Sequence, residues 1–186
     1  NENIYYLGQA YAFSWQNNKV DLLFNGNNET NNIDFDHYLK KLGYNFKNPS
    51  NELGGYAVLN NKKTSLIMDV GSTPDKKFSL NYQAGVLSFE IITNGKKLIC
   101  NSGYFQNHNH QLNELSKSSA THSTLILDDR SSCRFNKTKN KNSRISNGLK
   151  ILKKNIVFEK NYWKISAAHD GYLKQYGIIH EREIEF

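Results

Sequence analysis

The sequence predicts an all-β protein, an antiparallel sandwich or barrel preceded by a short helical segment. Three observations carry this reading. After Pro49 apolar residues recur with a period of two, the apolar runs are separated by turns rich in Asn, Gly and Lys, and no helical periodicity separates one run from the next. The 186 residues suffice for one substantial core.

Residues 1–48 read as a linker and partly helical lead-in. Ile4, Leu7, Ala10 and Tyr11 have helical spacing, Val20 opens a short apolar run closed by Asn25-Gly26, and Phe35, Tyr38, Leu39 and Leu42 share one face of a helix over 34–42. Residues 49–186 read as the β domain. Its first hairpin joins 55–59 to 64–70 through Asn60-Asn61-Lys62. Its clearest hairpin joins 85–93 to 97–101 through Asn94-Gly95, because both residues tolerate the positive φ of a type I′ turn. Residues 106–113 are almost wholly polar and read as a loop. Further strands are expected at 122–127, 149–152, 156–159, 162–169 and 176–186, with 136–146 as a long exposed hairpin loop. Phe135, Phe158, Tyr162 and Trp163 alternate with polar residues and are expected in the core.

Composition narrows the function classes. With 38% hydrophobic residues the chain is not disordered, and no apolar run is long enough to span a membrane. Asn is abundant and Lys outnumbers Arg 20 to 4, a bias that suits an AT-rich coding sequence and turns built on Asn. Cys100 and Cys133 fit neither a CxxC pair nor a zinc ribbon, and a disulfide between them stays open. Asn1 is neither an initiator Met nor part of a leader, so the chain is expected to be mature or cut from something longer. There is no GxGxxG, no Walker lysine and no GxSxG elbow. His108 and His110 sit in polar surroundings that suit solvated loop histidines better than metal ligands.

The net charge of +7 is local. Nine bases and no acid lie between Arg130 and Lys154, and the remainder is close to neutral. Lys137, Lys139 and Lys141 mark a basic loop, either a solvated tip or an attraction for an anionic polymer. Lysines without interleaved Arg and aromatics argue against nucleic acid as a partner.

Several segments carry a family resemblance. Ser88-Phe89-Glu90, Asn94-Gly95, Asn101-Ser102-Gly103 and His122-Ser123-Thr124 follow one another, with Gly55-Tyr56 and Met68-Asp69-Val70-Gly71 before them and His169-Asp170-Gly171-Tyr172 after. In this order they resemble the C-terminal β-sandwich of the heparinase II/III-like proteins, a polysaccharide lyase family, in its alphaproteobacterial version. The resemblance covers about residues 23–186. It implies an upstream α-helical toroid, a cleft between toroid and sandwich, and β-elimination on an anionic uronic acid polysaccharide. It also implies a periplasmic or cell-envelope location, a cytoplasmic one remaining open.

In members of known activity a catalytic His precedes the SFE strand, and a His, an Asp and a further His hold a structural zinc. Aligned on Ser88-Phe89-Glu90, the catalytic position falls on Asn81 and the zinc positions on Gln83, Asn101 and His122. Only His122 matches, and amides are poor zinc ligands, so no cofactor is expected. Asn81 takes no proton at neutral pH but donates hydrogen bonds. Two readings of these positions follow. In one, Asn81, Gln83, Asn101 and His122 form a neutral polar cluster that replaces the metal and ties strands together. In the other, these same four residues line a cleft and bind sugar hydroxyls or carboxylates, with any catalysis supplied upstream; the substrate-binding candidates are Asn81, Gln83, Tyr104 and His122. Separately, the loss of catalytic and zinc residues at Asn81, Gln83 and Asn101 gives the alternative function, a non-catalytic glycan-binding or scaffold domain. Tyr104 and Phe105, just after Gly103, are the candidates for sugar stacking. His169-Asp170 reads as a strand end and turn in preference to a catalytic dyad. The isolated chain is expected to be inactive, because half of the implied cleft lies outside it.

Overall fold

A computed structural model describes residues 51–107, 110–137 and 143–186, together with two earlier paired strands, Trp15–Gln16 (β1) and Lys19–Val20 (β2). The expected helix over 34–42 lies outside the described residues.

A five-stranded antiparallel sheet runs in sequence order through Glu52–Leu53 (β3), Tyr56–Asn60 (β4), Thr64–Asp69 (β5), Phe89–Thr93 (β6) and Lys96–Ile99 (β7). Both expected hairpins are present: β4 pairs with β5 and β6 with β7. Asn94 and Gly95 take φ of 49° and 73°, as a type I′ turn requires. After β7 come a helix, Gln111–Lys117 (α1), and a hairpin of Arg134–Lys137 (β8) with Ser143–Asn147 (β9). A three-stranded sheet of Ile151–Glu159 (β10), Tyr162–His169 (β11) and His180–Glu185 (β12) completes the chain, with Leu173–Tyr176 (α2) between its last two strands.

The two larger sheets enclose the core. Ala57, Leu59, Leu66, Met68 and Val70 from β4, β5 and the residue after it meet Trp163, Ile165 and Ala167 from β11, with Val86, Leu87 and Leu149 between them. Each strand contributes alternate residues, the period-two signal read as packing. The outer face of the large sheet carries a second, smaller apolar cluster of Ile67 and Ile92, with Tyr56 and Val58 against it.

Five expectations are corrected. First, the polar stretch at 106–113 runs into α1, so a helix does interrupt the strands. It buries Asn113, Ser116 and Lys117 while Leu112 and Leu115 are exposed, so apolar periodicity is blind to it. Second, residues 122–127 form no strand: Ser123 and Thr124 bond by their side chains to backbone groups of Phe89 and Val86 in place of a ladder. Third, residues 149–152 and 156–159 belong largely to one strand, β10, which continues through the solvent-facing Lys153, Lys154 and Asn155 with an irregularity between Ile151 and Lys153. Fourth, 176–186 starts in the last residue of α2, and its strand begins only at His180. Fifth, Trp163 is buried and Phe135 packs on the core, but Phe158 and Tyr162 are 45% and 38% exposed. Both thiols are free, Cys100 exposed and Cys133 buried.

Candidate functional site

The outer face of the five-stranded sheet holds a cleft of about 80 Å³, smaller than a typical pocket for a whole ligand. The sheet provides its floor through Tyr56, Ile67, Asp69 and Glu90, the connection from β5 to β6 provides Asn81, Gln83, Gly85 and Ser88, and Asn101 and His122 close the side.

The connection is irregular backbone, and α1 holds it. Ala84 N–H donates to Lys117 O at 2.9 Å, Ser119 Oγ donates to Ala84 O at 2.6 Å, and Lys117 Nζ donates to the carbonyls of Leu80 and Ser143. A helix with a buried polar face is what this requires, because loop carbonyls without ladder partners need donors. Lys117 is 1% exposed, and burial lowers its pKa to about 8, partly offset by the Glu114 charge.

The connection re-enters β6 through a bulge. Asp69 N–H donates to Ser88 O and accepts from Leu87 N–H at its own carbonyl, both at 2.9 Å, so two residues oppose one. Leu87 has φ of 59°, a strained conformation held by complete burial of its side chain. Gly85 must lack a side chain, since a Cβ there would lie 2.8 Å from His122 Cδ2.

Asn81 Oδ1 accepts from the Tyr104 hydroxyl at 2.8 Å, and that hydroxyl accepts from Asn113 Nδ2 at 3.0 Å. The amide group of Asn81 is thereby oriented with its N–H2 end unused by Tyr104. Burial raises the Tyr104 pKa, keeping it a neutral donor. Tyr104 is not among the residues lining the cleft, and Phe105 packs its ring against His110 at 5.0 Å. His110 itself caps α1, its Nδ1 accepting from Leu112 N–H. Lys137 pairs with Glu114 at 2.8 Å on the surface, and Lys139 and Lys141 lie outside the described residues.

Two cleft carboxylates escaped the sequence reading as site residues. Asp69 Oδ1 accepts from Gly71 N–H at 3.0 Å, while Oδ2 has no hydrogen-bond partner among the described residues. Burial raises its pKa to about 7, an effect that the Gly71 bond only partly offsets. Glu90 is 4% exposed; Oε1 accepts from Asn101 N–H at 3.1 Å, and Oε2 is buried with no partner among the described residues. Burial raises its pKa too. The available signal was an acid at the outward position of an otherwise apolar strand.

A family model described as heparinase II/III-like, C-terminal, matches residues 47–186. The chain belongs to that family. The heparinase II/III-like fold is also seen in its similarity to the crystal structure of heparinase III, with a TM-score of 0.55 and 19% identity over 99% of this chain. The chain spans 31% of that structure's chain. No curated protein matches it.

The zinc that membership in the heparinase II/III-like family implies does not suit these side chains. His122 Nδ1 lies 2.8 Å from Ser118 O, which can only accept, so Nδ1 carries the proton. Nε2 lies 2.8 Å from Gln83 Oε1. Burial lowers the His122 pKa and favours the neutral ring, so the consistent arrangement turns the Gln83 amide to donate to Nε2. Both ring nitrogens are then engaged. Asn101 is likewise committed: Oδ1 accepts from Ser123 N–H at 2.8 Å, and Nδ2 donates to Ser88 Oγ at 3.3 Å. Among the described residues no three His, Cys, Asp or Glu side chains group as metal ligands.

Proposed function

We propose that this chain supplies the sandwich half of the substrate cleft in a heparinase II/III-like polysaccharide lyase acting on an anionic uronic acid polysaccharide, with an upstream helical domain supplying the other half. Residues 49–186 are the sandwich unit and 1–48 its lead-in. The observation that carries the reading is the convergence of Asn81, Gln83, Asn101 and His122, distant in sequence, on one cleft of the large sheet's outer face. Asn81 offers an N–H donor to a substrate carboxylate, while Gln83, Asn101 and His122 tie the connection, the end of β7 and the segment after α1 together without a metal. Lys137, Lys139 and Lys141 add attraction for a polyanion. A periplasmic or envelope location is consistent with such a polymer substrate, and no helix among the described residues is long and apolar enough to cross a membrane.

The test is unsaturated uronate absorbance from the full-length protein on alginate, hyaluronan and heparan sulfate. Turnover on at least one is expected, with none by the 186-residue chain alone. Binding without turnover on all three would favour the second reading, a non-catalytic glycan-binding or scaffold domain, whose support is the amide at Asn81.

A further inference from the structure

We propose that Asp69 is the proton acceptor of this cleft, standing in for the neighbouring Asn81, whose amide cannot take a proton near neutrality. The inference rests on the lyase reading and adds to it the residue that does the acid–base work on this side of the cleft.

The geometry has three parts. Asp69 ends β5 opposite the bulge at Leu87 and Ser88, so the irregular backbone that forms the cleft wall also fixes the carboxylate. Its Oδ1 is anchored by Gly71 N–H, which leaves Oδ2 as the oxygen without a partner, in a wall that also contains Gly54 and Gly71. The third part is Glu90. Ile67 pairs with Glu90 across the ladder, so Glu90 shares the outer face with Ile67 and Asp69. Glu90 lines the same cleft, and its Oε2 has no hydrogen-bond partner among the described residues, which leaves this carboxylate an acceptor to be satisfied. Sugar hydroxyls are donors that suit it. Glu90 is therefore a positioning residue that seats a sugar ring beside Asp69.

A base must be deprotonated at working pH without being too weak, and burial places Asp69 in that range, at about 7. The ionisable groups around it are Glu90 on β6, Tyr56 on β4, Tyr82 and His122 in the cleft wall, the Cys133 thiol beneath, and Arg182 of β12. Arg182 is spent on the carbonyls of Leu87 and Ser123, and His122 is neutral, so neither supplies a strong ion pair that would return Asp69 to an ordinary acid.

In the step, Asp69 Oδ2 takes the proton alpha to the uronate carboxylate. The C–H electron pair becomes the new carbon–carbon double bond, and the bond to the glycosidic oxygen breaks. That oxygen leaves with its electron pair and receives the proton from Asp69. The products are an unsaturated uronate end and a free hydroxyl, with no oxidant or further reactant consumed.

The test uses the full-length protein on alginate, hyaluronan and heparan sulfate. Asp69→Asn keeps an oxygen for the Gly71 N–H, so folding and polymer binding are retained. Its kcat is expected to fall by about 100-fold or more, with KM little changed. The wild-type rate is expected to fall as pH drops below about 7. Glu90→Gln is expected to raise KM more than it lowers kcat. Turnover by Asp69→Asn within about threefold of wild type would overturn the assignment of Asp69 alone. Wild-type protein that makes no unsaturated product from any of the three polymers would overturn the lyase reading and this proposal with it.

Discussion

The space between the two sheets and the cleft on the outer face share β4, β5 and β6, yet opposite rules build them. Between the sheets, Leu59, Met68 and Ile165 fill volume, and regular alternation places them. In the cleft, Asp69, Glu90, Asn101 and His122 are held by individual hydrogen bonds to irregular backbone, and two carboxylate oxygens have none among the described residues. Adjacent residues of one strand thus serve opposite ends: Met68 stabilises the fold, and Asp69 costs stability in exchange for a poised carboxyl.

The largest expected effect lies in the core. Leu59→Ala should lose about 2–5 kcal/mol in urea unfolding, because its 1% exposure leaves no room to relax. A loss below 1 kcal/mol would mean that the inter-sheet packing is looser than described.

A second test uses the buried pair His169 and His180, which face each other on β11 and β12. Gly171 N–H donates to His169 Nδ1, so His169 Nε2–H donates to His180 Nδ1 at 3.0 Å and both rings are neutral. Burial lowers both to about 4; the partner imidazole adds to this at His169 and the Arg182 charge at His180. Below about pH 6.5 the unfolded chain binds protons that the folded pair refuses, so stability falls until about pH 4. Asp69 acts in the opposite direction over much of this range, because its folded pKa is raised. One net proton over this window corresponds to a loss of about 3 kcal/mol. The loss should be steeper in Asp69→Asn. A pH-independent urea midpoint between 4 and 6.5 in that variant would contradict the neutral pair.

Gly85→Ala tests the cleft wall. A Cβ 2.8 Å from His122 Cδ2 forces the ring or the connection to move, at about 1–3 kcal/mol, and should disturb the His122–Gln83 contact seen by imidazole NMR. The smallest effect is expected on the surface: Lys137→Gln removes an exposed pair with Glu114 and should change stability by under about 0.5 kcal/mol.

The same contrast explains what the sequence revealed. The hairpins of β4 with β5 and β6 with β7 were legible, because period-two alternation and turn residues such as Asn-Gly report a local cause. α1 was not, since the residues it buries are polar: Asn113 and Ser116 bond to the backbone of Phe105, and Lys117 bonds to Leu80 and Ala84 in a connection distant in sequence. The bulge at Leu87 was hidden inside an apolar run that read as strand. Asn81, Gln83, Asn101 and His122 were found by resemblance, and the structure brings them to one cleft. Asp69 and Glu90 stood within the quoted motifs, but their importance depends on burial, which a sequence does not print. The pairing of His169 with His180 depends likewise on a strand register set after α2.

The contrast between core and cleft is tested most directly by unfolding wild type and Asp69→Asn as a function of pH. Asp69 is raised from 3.8 to about 7, so its burial costs nothing below 3.8, and the cost is complete above 7. The account predicts that Asp69→Asn is more stable than wild type by about 1–3 kcal/mol at pH 8 and equal to it at pH 3.5. A variant less stable than wild type at pH 8 would mean that Asp69 holds the sheet together, and would contradict the account.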